Sequence, residues 1–115
     1  MNPMDNTHQL KKFIEVNKLM YNNNVVNFIG IITINTKYNK ISKKEIPIMI
    51  NFNGFDNNGV LEVFDDDIVP EIFPSKFNAK YDSFENINDI YLKITGFHKI
   101  NPNISNYEVT IVPIK

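Results

Sequence analysis

The spacing of hydrophobic residues in this chain changes once, near residue 24, and that change constrains the fold more than any other feature. Before it, residues 7–21 (THQLKKFIEVNKLMY) carry Leu10, Phe13 and Ile14 at three- and four-residue spacing, which predicts an amphipathic helix. After it, five runs rich in β-branched residues alternate apolar and polar side chains, as strands do. The sequence therefore predicts a mainly β chain with an N-terminal helix.

The five predicted strands cover residues 25–35, 45–52, 60–64, 89–97 and 106–114. Gly30 lies inside the first run and predicts a bulge or a sharp bend. Pro47 lies inside the second run and predicts a free sheet edge there, because proline has no N–H to donate. In the fourth run the alternation predicts that Ile90, Leu92 and Ile94 point inward.

Length and composition indicate a single domain over residues 1–115, with the helix at 7–21 and a β-barrel or sheet over 25–115. The chain has 115 residues, 43% of them hydrophobic and 22% charged, which is typical of a globular protein. It has no cysteine, so disulfides and thiolate metal sites are excluded. No signal-peptide pattern and no bilayer-length apolar run occur, so we expect a cytoplasmic protein without a membrane partner.

The order of the predicted elements resembles that of oligonucleotide-binding (OB) folds: three strands, a weakly helical region, and two further strands. The resemblance implies a five-stranded OB-like barrel. An α+β sheet capped by the helix, or a β-sandwich, would produce the same order, and both stay open as alternatives. The resemblance further implies that the loops at 36–44 and 98–105 flank one groove that grips single-stranded nucleic acid.

Basic and aromatic residues occur in those two loops and on the outward face of the fourth strand. Lysines would attract phosphates and aromatic rings would stack on bases. The candidate nucleic-acid-binding residues are Lys37, Tyr38, Lys40, Lys43, Lys44, Tyr91, Lys93, Phe97, His98 and Lys99. All 12 basic residues are lysines, so no guanidinium is available for bidentate recognition, and the residue bias is typical of a low-GC genome such as a phage's.

The charges are divided into blocks along the chain. Residues 1–44 hold seven lysines and two acids, whereas residues 45–92 hold two lysines and ten acids. An acidic face could bind a protein target, as an inhibitor or immunity protein of a phage or mobile element would. That alternative site is Asp56, Glu62, Asp65, Asp66, Asp67 and Glu71. Mutual cancellation of the blocks in three dimensions stays open, as does a homo-oligomer formed at the strand edge near Pro47.

The stretch FDDDIVPEIFP, residues 64–74, admits three interpretations. A metal site is not expected, because adjacent side chains of a strand point to opposite faces. The stretch resembles the acidic tip of bacterial single-stranded DNA-binding proteins, but that tip is C-terminal and this stretch is internal. The interpretation we adopt is a short connector helix, with Asp66 or Asp67 as its N-cap and Pro74 at its end.

Catalytic chemistry has few candidates in this sequence. The only histidines are His8 and His98, and no phosphate-binding glycine loop, nucleophile elbow or zinc-ligand cluster occurs. We therefore predict a small non-enzymatic binding protein without a cofactor or a metal. Its expected partner is single-stranded nucleic acid, or alternatively a protein.

Overall fold

The computed structural model describes residues 6–53, 58–68, 73–97 and 106–114. The prediction of a mainly β chain with one N-terminal helix is confirmed. The elements are α1 (Asn6–Val16), β1 (Tyr21–Asn22), β2 (Val25–Thr36), β3 (Lys40–Asn51), β4 (Val60–Val63), β5 (Lys76–Asn78), β6 (Ser83–Ile87), β7 (Tyr91–Gly96) and β8 (Tyr107–Pro113).

The strands form one antiparallel sheet in the order β5-β4-β3-β2-β8-β7-β6, with β1 pairing beside β2. The sheet curls into a half-barrel. Within the described residues eight strands are present where the sequence predicted five, because the short strands β1, β5 and β6 were not predicted. Strands of two to five residues carry too little alternation to be recognised, and their pairing comes from tertiary contacts instead of local propensity.

The long strand β2 bends at the predicted glycine. Its pairing with β3 shifts register between Gly30 and Ile32, which confirms the bulge. The next strand, β3, begins at Lys40, five residues before the predicted start, so the predicted loop 36–44 is a tight turn at 37–39. Thr36 closes this turn, because its hydroxyl accepts a hydrogen bond from the Asn39 amide at 3.0 Å and donates to the Asn39 carbonyl at 3.1 Å.

Among the described strands, the pairing of β3 with β4 ends beside Pro47, where the sequence predicted a free edge. The ladder between β3 and β4 covers Ile48 to Asn51, and the Phe64 amide donates to the Pro47 carbonyl at 3.0 Å. From there toward Lys40, the described strands flank β3 on its β2 side only.

Helix α1 ends at Val16, five residues before the predicted end. Lys18 takes the left-handed conformation, with φ of 57°, and its amide donates to Glu15 at 3.0 Å. The Leu19 amide donates to Ile14 at 3.0 Å, which completes a Schellman C-cap. The side chain of the buried Asn17 donates to the Phe13 carbonyl at 3.0 Å. Residues 17–21 therefore leave the helix, although their apolar spacing continues the helical pattern.

The core lies between α1 and the concave face of the sheet. Leu10, Phe13 and Ile14 of α1 are fully buried, and α1 packs against β6 and β7. In β7 the inward positions Leu92 and Ile94 are buried as predicted. The fully buried strand residues are Val26, Ile34, Ile50, Leu61, Phe77, Phe84, Leu92, Ile94, Val109 and Ile111.

Ile90 is not inward, and that prediction is wrong. Its side chain is 61% exposed, because β7 begins one residue later, at Tyr91. Asn88 and Asp89 take positive φ angles of 52° and 60° in the preceding turn. The backbone at Ile90 therefore belongs to the turn, where the two-residue alternation of a strand does not apply.

The two edge strands, β5 and β6, are joined by a turn at 79–82 and held together by side chains from α1. The Asn6 side-chain amide donates to the Ala79 and Asp82 carbonyls at 2.9 and 2.7 Å, and its oxygen accepts from the Phe84 amide at 3.1 Å. Gln9 accepts from the Asn86 amide at 2.9 Å. Helix α1 therefore satisfies the donors on the outer edge of β6, which would otherwise be a pairing edge.

Candidate functional site

An open groove lies at the end of the half-barrel where β2 and β7 end and β8 begins. Its volume is about 690 Å³. Strand β2 and the turn after it form one side of the groove. Strands β7 and β8 form its base, and the turn at 79–82 forms the opposite side. The lining residues are Asn35, Thr36, Lys37, Tyr81, Thr95, Gly96, Phe97, Asn106, Tyr107 and Glu108.

Strand register brings these residues together from distant parts of the chain. Glu108 of β8 pairs with Asn35 of β2 on one side and with Thr95 of β7 on the other. Opposite side chains of antiparallel strands lie about 5 Å apart, so these three polar side chains form a continuous row. The groove therefore depends on long-range pairing, not on one contiguous motif.

Two exposed aromatic side chains line the groove. Tyr81 in the turn at 79–82 is 64% exposed, and Phe97 at the end of β7 is 57% exposed. Lys37 lines the same groove, and its Nζ atom lies 5.3 Å from the centre of the neighbouring Tyr38 ring. Lys80 Nζ lies 5.6 Å from the Tyr81 ring centre. Each exposed tyrosine at this end therefore has a lysine beside its ring, an arrangement that favours binding of planar, negatively charged ligands.

Tyr107, which lines the groove, forms a buried, hydrogen-bonded pair with Asp82. The Tyr107 hydroxyl donates to Asp82 Oδ1 at 2.5 Å, and Asp82 Oδ2 accepts from the Asn78 amide at 2.8 Å. Burial, together with the bond and the charge of Asp82, raises the pKa of the Tyr107 hydroxyl well above its ordinary value of 10.0. A phenol held protonated in this way is a fixed support, not a nucleophile.

Two of the predicted candidates, one from the first predicted loop and one from the fourth predicted strand, meet in the groove. Lys37 and Phe97 line the groove, and Tyr38 is next to it with 67% of its surface exposed. Lys40 is exposed in β3 and pairs in register with Asn35, one strand beyond the groove lining. His98 and Lys99 lie outside the residues that the structure describes.

Four candidate residues lie away from the groove lining. Lys44 is exposed farther along β3. Lys43 is held by two acidic side chains of the 65–68 turn. Tyr91 and Lys93 are half-buried on the convex face of β7, with Lys93 Nζ at 3.8 Å from Glu108 Oε2. Lys93 therefore reaches the groove only through its contact with Glu108.

Lysines lie against three residues of the alternative acidic site. Lys43 Nζ lies 2.6 Å from Asp67 Oδ2 and 3.5 Å from Asp65 Oδ2, and Lys76 Nζ lies 3.8 Å from Glu62. The hydrogen bond between Lys43 and Asp67 raises the pKa of the lysine and lowers the pKa of the aspartate. Charge blocks that are separate in the sequence therefore meet in this part of the fold.

The acidic stretch is a turn at its described end. Asp65 Oδ1 accepts from the Asp67 amide at 2.8 Å, and the Ile68 amide donates to the Asp65 carbonyl at 3.1 Å. Residues 66–67 therefore lie in an Asx-type turn closed by Asp65, and the N-cap role predicted for Asp66 or Asp67 stays a prediction, because the helix that either would cap extends into residues outside the described part of the chain. The rest of the predicted connector helix, with Glu71, lies outside the described part of the chain, as does Asp56.

Sequence reasoning missed the other groove residues. Tyr81 sits in the polar stretch NAKYDS, where an aromatic residue in a turn signals exposure and could have been noticed. Asn35, Asn106 and Glu108 carry no local signal, because only the pairing of β2, β8 and β7 places them together.

Among the described residues, no three His, Cys, Asp or Glu side chains are placed to share a metal ion. In the same residues, no helix has the length and apolar character needed to span a membrane.

Comparison with protein-family models, curated proteins and solved structures finds no significant match to this chain.

Proposed function

We propose that the groove binds single-stranded nucleic acid, with bases stacked on Tyr81 and Phe97 and the phosphate backbone attracted by Lys37. The observation that carries the proposal is the presence of two widely exposed aromatic rings and a lysine in one open groove. Large aromatic side chains are normally buried, and rings kept in water at a groove favour a stacking role.

The expected energetics suit a nonspecific or weakly selective binder. Stacking of a base on an aromatic side chain contributes about 1–3 kcal/mol per base. Lysine–phosphate contacts add an electrostatic attraction that weakens steeply with salt. Lys80, next to Tyr81, and Tyr38, next to Lys37, extend the same basic and aromatic surface at both ends of the groove.

The proposal keeps the functional part of the OB-like interpretation. Two observations support it. Strand β2 is long and bends at a glycine within a curled antiparallel sheet, and the turn after β2 lines one groove together with the residues on either side of 98–105. The proposal does not require the five-strand count of an OB barrel. A non-enzymatic role in the cytoplasm, on DNA or RNA, is part of it.

The acidic site is less well supported as a binding surface for a protein. Lys43 and Lys76 lie against Asp65, Asp67 and Glu62, so part of its charge is already compensated within the chain. The groove, in contrast, presents exposed rings and a lysine together, and we therefore propose it as the functional surface.

The proposal is tested by fluorescence anisotropy with a labelled single-stranded oligonucleotide at about 50 and 200 mM salt. Phe97→Ala should weaken binding about tenfold, because it removes one stacking surface without disturbing a buried residue. Lys37→Glu should weaken binding and reduce the salt dependence by about one counterion, because it removes a phosphate contact.

Lys44→Glu is the matched control. It makes the same charge change on an exposed lysine of β3 that lies four residues, about 13 Å, beyond Lys40. Its effect on affinity should be less than about threefold at moderate salt, because charges beyond a Debye length are screened. Absence of binding at low salt would refute the proposed function. Equal losses in the two charge variants would show that the groove is not the site.

A further inference from the structure

Glu108 places a carboxylate in the row of polar side chains that borders the exposed rings. It lines the groove together with Phe97, and it lies between Asn35 and Thr95 in the strand register. Its side chain is 49% exposed. A carboxylate is an unexpected group in a groove that attracts phosphates, because it repels them. Glu108 therefore weakens the attraction of phosphates in this part of the groove.

The Lys93 ammonium lies 3.8 Å from Glu108 Oε2. Lys93 and Glu108 lie on the same, convex face of the sheet, and the contact favours carboxylate orientations directed toward Lys93. A carboxylate has two oxygens and about four lone-pair sites, so one contact at this distance leaves most of its acceptor capacity for a ligand. Lys93 is thus a positioning residue for Glu108.

An ionised carboxylate accepts hydrogen bonds and donates none, so it favours nucleobases that present a donor to it. Cytosine, adenine and guanine carry an exocyclic amino group, and carboxylates recognise the N4 amino group of cytosine. Thymine and uracil carry a carbonyl oxygen, O4, where cytosine carries its amino group, and their single N3–H donor lies between two carbonyl oxygens that a carboxylate repels. A base stacked on Phe97 would bring one of its edges toward the polar row that contains Glu108.

We infer that Glu108 gives the groove a preference for bases with an exocyclic amino group over thymine and uracil. This inference rests on the proposed function, because it names the bases that the same groove selects. Asn35 and Asn106 also line the groove, and no hydrogen bond within the described residues engages their side chains. Amides both donate and accept, so they add contacts without reversing the preference.

The test compares oligo(dC) with oligo(dT) of about ten nucleotides, a length within the site size of small single-strand binders. Both are pyrimidine strands of similar size, and thymine replaces the amino group of cytosine by a carbonyl while adding an N3 proton and a C5 methyl group. The wild-type protein should bind oligo(dC) about tenfold more tightly. In Glu108→Gln, binding of oligo(dC) should fall and binding of oligo(dT) should rise, bringing the two affinities within about twofold.

Glu85→Gln is the matched control. Glu85 is exposed in β6, pairs with Lys93 in register, and does not line the groove. It makes the same charge change, so both affinities should rise slightly and their ratio should stay constant. This readout separates base selection from a general charge effect.

The outcomes distinguish the inference from the function that it rests on. Equal wild-type affinities for the two strands, or a ratio unchanged in Glu108→Gln, would overturn the role of Glu108 and leave single-strand binding in place. Absence of binding to either strand would overturn both. Chemical denaturation of each variant confirms that it is folded, since Glu108 is a surface residue whose replacement leaves the core intact.

Discussion

Gly96, Asp82 and Tyr107 are in close contact at the point where Gly96 and Tyr107 line the groove. A Cβ atom added to Gly96 would overlap Asp82 Oδ1 and the Tyr107 hydroxyl, and would lie 2.6 Å from Tyr107 Cζ. Glycine is therefore needed at the end of β7 because of close approach, since the buried hydrogen-bonded pair occupies the space of a side chain.

Tyr107→Phe removes the donor to Asp82 and leaves a buried carboxylate oxygen with one partner fewer. We expect the free energy of unfolding to fall by about 1–3 kcal/mol at neutral pH. Measurement by urea denaturation, with midpoints and slopes compared, checks the value.

The pH dependence of this variant gives a second readout. The native pKa of Tyr107 is raised above the unfolded value of 10.0, so the native state holds the proton more tightly. Its contribution to stability is complete below pH 10 and decreases as the pH rises above it. Phenylalanine has no proton to lose, so the stability difference between wild type and variant should narrow above pH 10. A difference that stays constant there would contradict the pKa shift. Lysines also lose protons in this pH range, but they do so in both proteins, so their effect cancels in the difference between the two free energies of unfolding.

At the scale of the element, α1 shows how a cap overrides a periodic pattern. The apolar spacing continues to Tyr21, but the Schellman cap ends the helix at Val16. Lys18 occupies the left-handed position that glycine favours, at φ of 57°. The cap directs the chain into β1, and so places β2 at the centre of the sheet.

Lys18→Gly should therefore stabilise the protein by about 0.5–1 kcal/mol, because glycine adopts positive φ without a Cβ penalty. Lys12→Gly is the control, since it makes the same replacement at an exposed position inside α1. That variant should lose about 1 kcal/mol of stability. Thermal and urea unfolding of the two variants should shift in opposite directions. A loss in both would show that Lys18 contributes more through its side chain than its backbone costs.

At the scale of the whole molecule, the half-barrel is held together by side chains where its edges meet. Asn6 bridges the turn at 79–82 and the first amide of the β6 edge with three hydrogen bonds. Tyr107, Asp82 and Asn78 form a second connection between β8 and the same turn. The wall of the groove that carries Tyr81 is therefore positioned by α1 as well as by the sheet.

Asn6→Ala should lower the free energy of unfolding by about 2–3 kcal/mol, because three partly buried hydrogen bonds are lost together. It should also speed hydrogen exchange of the Phe84 amide, which loses its acceptor. Asn27→Ala serves as the control, since Asn27 is exposed on the convex face of β2, and its effect should stay below about 0.5 kcal/mol. Unchanged exchange at Phe84 would show that Asn6 does not protect the edge.

The local sequence was enough to predict structural features that depend only on a few neighbouring residues, such as buried strand positions and a bulge. Alternation placed Leu92 and Ile94 in the core, and Gly30 marked the bulge of β2. Those predictions hold because the period of a strand and the conformational freedom of glycine act over a few residues. The start of β7 was misjudged, because a turn that includes Ile90 makes the strand begin at Tyr91, two residues after the predicted start.

Tertiary structure alone decided which charged residues share a surface. Lys37 and Lys43 look alike in the sequence, yet Lys37 lines the groove and Lys43 is bound to Asp65 and Asp67. Glu108 and Asn35 became neighbours only through the pairing of β8 with β2, 73 residues apart. The sequence thus determined the mainly β character and much of the core, because these follow from local periodicity. The groove and its charge came from long-range register, which no local pattern encodes.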